Sequence, residues 1–122
     1  MEITGLMIGD WLLDSHVYAQ VTSITCDGII ETTHNALSDI ELVEPIPITP
    51  EILEKNGFIK DNNNMYYWNW GIIDDCVSYD KETNIFRIFH TLGHLVFVHS
   101  LSYVHQLQHA LRLCGIEKDI EL

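Results

Sequence analysis

The chain has 122 residues, 47% of them hydrophobic, which is enough to bury a core without disulfides or a structural metal; one domain, 1–122, is the expectation at this length. Eighteen acidic residues against six basic ones give a net charge of −12, and Met1 to Glu54 holds no Lys or Arg beside Glu2, Asp10, Asp14, Asp27, Glu31, Asp39, Glu41, Glu44, Glu51 and Glu54. Such a field repels phosphate backbones and disfavours nucleic acid as a partner, while apolar runs such as Leu95-Val96-Phe97-Val98 fall far short of the roughly 20 residues of a membrane helix.

Short β-type runs fill the first third: Trp11-Leu12-Leu13, Val17 to Ile24, and Gly28 to Thr33, separated by turn signals at Asp14-Ser15 and Asp27-Gly28. They predict an antiparallel meander, in form a small SH3-like barrel. Leu42 to Ile46 can return as a strand, but Pro45 and Pro47 lack ladder donors and confine it to an edge or a connector. Thr49-Pro50-Glu51 is a helix start with a capping hydroxyl, a proline in the first turn and a carboxylate at the positive end of the dipole. Gly57 stops that helix after about two turns.

Phe58-Ile59-Lys60 and Met65 to Trp70 flank Asn62-Asn63-Asn64 as the arms of a hairpin. A second hairpin pairs Asn84 to His90 with His94 to His99 around Thr91-Leu92-Gly93. Leu101 to Cys114 reads as an amphipathic helix, with Leu101, Tyr103, Val104, Leu107, Ala110, Leu111 and Cys114 on one face and His105, Gln106, His109 and Arg112 on the other. Ser100 or Ser102 is its expected cap and Gly115 its stop, followed by a frayed acidic tail through Leu122. The expected fold is therefore α+β: meander, short helix, two hairpins, and a C-terminal helix packed on the sheet, with sub-modules 1–48 and 49–122.

Seven histidines invite a metal hypothesis, and five of them come late. His90-Thr91-Leu92-Gly93-His94 has the outer spacing of a zinc-enzyme helix but lacks its glutamate, so it reads as a hairpin turn across which His90 and His94 face each other. His105 and His109 stand at i and i+4 on the polar helix face, where two imidazoles hold a divalent cation weakly. These four are the candidate ligands of a metal-dependent hydrolase; the simpler reading is surface histidines, with no metal or other cofactor. Asp74-Asp75 and Asp80 read as solvated turn residues, since adjacent side chains diverge. No nucleophile elbow and no phosphate-binding glycine loop occurs.

Cys26, Cys76 and Cys114, odd in number and about 40 to 50 residues apart, fit reduced thiols and a cytoplasmic protein, as does a start, Met1-Glu2-Ile3-Thr4, unlike a secretory signal. Met65-Tyr66-Tyr67-Trp68-Asn69-Trp70 is the most aromatic stretch. As a strand it sets Met65, Tyr67 and Asn69 against Tyr66, Trp68 and Trp70, one set in the core and the other available to a protein partner. Tyr66, Trp68 and Trp70 are the candidate anchors, being of the types that dominate binding hot spots.

Several stretches carry a resemblance. Leu6-Met7-Ile8-Gly9-Asp10-Trp11, Val21-Thr22-Ser23-Ile24 with Asp27-Gly28-Ile29-Ile30, Val43 to Phe58, and Tyr103-Val104-His105-Gln106-Leu107-Gln108 together resemble a group of small uncharacterised proteins of Bacteroidetes-type bacteria and their phages or mobile elements. The resemblance implies a bacterial or phage cytoplasmic protein and supplies no activity. The functional expectation is a non-enzymatic accessory or regulatory protein that binds another protein, basic in character if the acidic surface is used, through an acidic or aromatic surface. The metal-dependent hydrolase and a nucleic-acid-binding small barrel are the alternatives.

Overall fold

The computed structural model describes residues 6–14, 17–24, 29–34, 38–39, 43–61, 63–69, 76–90, 94–116 and 118–122. Two antiparallel five-stranded sheets and two helices make up these residues, an α+β architecture dominated by strands. The chain divides into two compact units, Met1–Pro47 with Tyr103–His105, and Ile48–Ser102 with Gln106–Leu122.

The first unit contains β1 (Trp11–Asp14), β2 (Val17–Ile24), β3 (Ile29–Thr32), β4 (Ser38–Asp39) and β5 (Val43–Glu44). The order β4-β3-β2-β1-β5 is a meander whose last strand returns to the free side of the first. Leu12, Val21, Ile30 and Val43, one from each of four strands and all at most 1% exposed, form its core, with Leu6 packed against them. Every other residue of β1 points inward, so Asp14 is buried as well; its carboxylate accepts a hydrogen bond from the Thr32 hydroxyl at 2.8 Å. Asp10, fully buried, accepts from the Met7 amide at 2.7 Å and closes the turn that leads into β1. Pro47 bridges to Tyr103, and the Val104 amide donates to the Ile46 carbonyl at 2.8 Å.

The second unit opens with α1 (Pro50–Lys55), capped by the Thr49 hydroxyl, which accepts from the Ile52 amide at 3.3 Å. Gly57, at φ +88°, ends it in a Schellman motif: Gly57 N–H to Glu54 O, and Phe58 N–H to Leu53 O. The sheet that follows comprises β6 (Ile59–Lys60), β7 (Met65–Asn69), β8 (Cys76–Asp80), β9 (Ile85–His90) and β10 (His94–Ser100), in the order β10-β9-β8-β7-β6. Asp61 Oδ1 accepts from the Asn63 and Met65 amides to turn β6 into β7, and Asp80 with left-handed Asn84 turns β8 into β9. β8 is absent from the reading of the sequence, which takes its flanking aspartates as loop. It is the central strand, and it joins the two expected hairpins into one sheet.

α2 (Val104–Leu113) starts three residues later than the helical periodicity suggests. Ser102 contributes through its amide, which donates to Gln106 Oε1 at 2.9 Å. Gly115, at φ +74°, stops the helix in a second Schellman motif, Gly115 N–H to Arg112 O and Ile116 N–H to Leu111 O. The tail beyond it is not frayed. Ile116 and Ile120 are buried, and the Asn56 side chain exchanges two hydrogen bonds with the Glu121 backbone, at 2.8 and 2.7 Å. Lys55 Nζ donates to the Leu122 carbonyl. A polar tail stays docked because two isoleucines and a backbone-mimicking amide hold it. Among the described residues no helix is long and apolar enough to cross a membrane.

Candidate functional site

Strand register and pleat decide which side chains of the second sheet look inward. Tyr66, Tyr79, Phe86 and His99 lie in one cross-strand row, and Trp68, Val77, Ile88 and Phe97 in the next. Tyr66, Val77, Tyr79, Phe86 and Ile88 are at most 2% exposed, so this is the core face. Tyr67, Ser78, Arg87 and Val98 share the other face. Tyr66 is thus a core side chain, and Trp68 is half-buried, 6.2 Å from the Phe58 ring and with Lys118 Nζ 4.4 Å from its centre. Trp70 lies outside the described residues. The outward aromatic of β7 is Tyr67, on the face opposite the candidate anchors.

The four sheet edges differ. Among the described residues β4 and β5 in the first sheet and β6 in the second comprise two residues each, and carry Asp39, Glu44 and Lys60 respectively. Short, charged edges discourage pairing with another chain. β10 is seven residues, His94-Leu95-Val96-Phe97-Val98-His99-Ser100, without Lys, Arg, Asp, Glu or Pro. Leu95, Val96 and Val98 are each about half exposed, and of the seven only Phe97 is partly buried. A register shift between Leu95 and Phe97 bends the strand once.

A groove of about 230 Å³ runs beside β10 on the inner side, lined by Phe97, His99 and Leu101 and, from α2, by Gln106, His109, Ala110 and Leu113. Its floor is fixed from behind. Phe97 meets buried Phe86 edge-on at 6.0 Å and stacks on His99 at 6.4 Å. Leu101 is anchored through its carbonyl, 2.8 Å from the Tyr79 hydroxyl, which also lies 3.0 Å from Asn84 Oδ1. Burial, and then the charge of Asp80, pushes the Tyr79 phenol up to about 12. Leu113, 77% exposed, stands at the outer lip.

The histidines separate. Register sets His94 opposite His90, as the hairpin reading expects, although the His90 side chain lies outside the described residues, as do His16, Cys26, Asp74, Asp75 and the Thr91-Leu92-Gly93 turn. His105, expected on the polar face of α2, is 6% exposed and stacks on Tyr103 at 6.0 Å. Helical pitch alone puts it with the polar residues, but Tyr103–His105 belong to the first unit, whereas Gln106, His109 and Arg112 belong to the second. His109 lines the groove with His99 instead. Among the described residues no group of three or more His, Cys, Asp or Glu is placed to hold a metal ion. Burial pushes the Cys114 thiol up, away from the thiolate form that reacts.

A second concavity, about 420 Å³, lies at the opposite edge among Gly57, Ile59, Lys60, Asp61, Tyr67, Trp68 and Asn69. Burial first, and then the neighbouring Asp61 carboxylate, raises the Tyr67 phenol. In the sequence the long apolar edge of β10 reads as an ordinary hairpin arm, and the signal that sets it apart is the apolar run Leu95-Val96-Phe97-Val98 without alternation. No family model matches the chain, and no curated protein or solved structure matches it.

Proposed function

We propose that the protein is a non-enzymatic accessory protein that acts by binding another polypeptide, taking an extended strand onto the free side of β10. The observation that supports this is the contrast among edges: among the described residues three show two residues each with a charge in each pair, and one is seven residues long, apolar and uncharged. A strand added there gains main-chain hydrogen bonds of about 0.5–1.5 kcal/mol each, and alternate side chains enter the groove between Phe97 and Leu113. Main-chain pairing supplies affinity and the groove supplies selectivity. The setting is the reducing cytoplasm to which dispersed cysteines are suited.

A displayed library of random short peptides tests the reading with three baits: the native protein, Val98→Lys and Ile59→Lys. Native protein and Ile59→Lys, which alters the other edge, should enrich peptides of alternating apolar residues, and Val98→Lys should enrich none while keeping its circular dichroism. Equal enrichment on Val98→Lys, or no enrichment on any bait, would sink strand addition at β10.

A further inference from the structure

If β10 accepts an added strand, its own geometry selects the occupant. We infer that this occupant is β10 of a second copy, paired antiparallel about a two-fold axis at Val98; the inference rests on the strand-addition reading. The Leu101 amide donates to the Asn84 carbonyl at 2.8 Å, continuing the register in which Ser100 faces Ile85, His99 faces Phe86 and Val98 faces Arg87. In an antiparallel ladder, residues alternate in the side to which they turn their N–H and C=O groups. Leu101, His99 and Phe97 therefore turn theirs to β9, and Val98 and Ser100 turn theirs outward. Among the described residues no strand pairs with that outer side.

Below the register shift at Leu95/Phe97 the ladder is regular, and Val98 is the apolar residue of that regular stretch whose backbone groups look outward. Pairing about it lets the two Val98 residues exchange both backbone hydrogen bonds. Phe97 then stands opposite His99 of the copy, repeating across the seam the aromatic contact each strand already makes at 6.4 Å. Isologous contact of this kind is the commonest route to a dimer.

Charge decides between a copy and a basic strand. β9 and β10 together hold Arg87 and no carboxylate, and none of the residues lining the groove is acidic. A basic strand finds nothing here to pair with, whereas two copies meet without opposed carboxylates despite a net charge of −12 each. Exposure agrees: Leu95, Val96, Val98 and Leu113, each at least half exposed, sit on β10 and at the lip of its groove, where one symmetric contact covers both sets. A seam one strand and one helix end wide is small beside the roughly 1,600 Å² of a standard specific interface, so the dimer is expected to be weak.

Sedimentation velocity over a concentration series up to about 1 mM reads this directly. The native protein should shift from its 14.1 kDa monomer to twice that mass. Val98→Lys and Val98→Glu, each alone, should raise the dissociation constant at least about tenfold, because like charges then stand opposite. An equimolar mixture of the two should dimerise again, since only the symmetric register places residue 98 against itself. Native protein that stays monomeric throughout, or a mixture no more associated than its components, would overturn the inference. If the library still yields peptides sensitive to Val98→Lys, strand addition stands and the occupant is another chain; if it does not, both fall.

Discussion

The two units carry similar sheets and treat charge and edges in opposite ways. The first holds eight carboxylate residues and no Lys or Arg; the second holds ten and all six Lys and Arg, the two together giving −12. Among the described residues both edges of the first sheet are short and charged, and one edge of the second is long and apolar. The comparison teaches that the most one-sided acidity and the edge proposed to take an added strand belong to different parts of the molecule. The acidity of the first unit sets up a field that repels phosphate backbones, whereas the proposed site of strand addition is marked by a local lack of charge.

Core substitutions should produce the largest effects and show whether the units share one unfolding transition. Phe86→Ala in the second unit should cost about 3–5 kcal/mol and Leu12→Ala in the first about 2–5, read by urea unfolding. Both residues are fully buried, and separate transitions would assign each loss to its own sheet.

Alkaline pH should discriminate next, through Tyr79. Its folded pKa is raised from 10 to about 12 by burial first and Asp80 second, so the folded state holds the phenolic proton more tightly than the unfolded chain. Stability is complete below about pH 10 and falls as pH rises toward 12, by on the order of 2–3 kcal/mol. Tyr79→Phe should abolish that slope while costing about 1–3 kcal/mol at neutral pH, since it removes the hydroxyl beside the Leu101 carbonyl. Denaturant midpoints between pH 7 and 11.5 check both halves.

In the first unit the counterpart is Asp14→Ala, which leaves the buried Thr32 hydroxyl without this acceptor and should cost about 1–3 kcal/mol by thermal unfolding. Gly115→Ala should cost about 1 kcal/mol, because a φ of +74° strains any side chain even where the space beside it is open. Smallest of all, Val98→Lys should leave the stability of the folded chain within about 0.5 kcal/mol, since the site is exposed. The contrast between that near-zero value and its effect on association separates a binding residue from a structural one.

Local signals were legible where the chain's own neighbours decide the conformation. Thr49-Pro50 and Gly57 bracket α1 because capping and a left-handed stop act within four residues, and Gly115 closes α2 for the same reason. Hairpin arms around Asn64 and between His90 and His94 follow from turn chemistry and β-branched content. β8 was not legible: Cys76-Val77-Ser78-Tyr79-Asp80 is short and flanked by aspartates, and it is a strand because two neighbours satisfy its backbone. The aromatic run shows its two faces in the sequence, but not that the face of buried Tyr66 and half-buried Trp68 is the one turned to the core.

By itself, then, the sequence determined an acidic α+β chain of meander, short helix, hairpins and C-terminal helix, since composition and short-range propensity suffice for those. Tertiary structure alone decided that β10 is an edge, that His105 is buried while His109 lines a groove, and that the C-terminal tail is held by Asn56. Strand order and burial depend on contacts between residues far apart in the chain. A periodic pattern says that a strand has two faces and two edges, and only the packed molecule says which of them are left open.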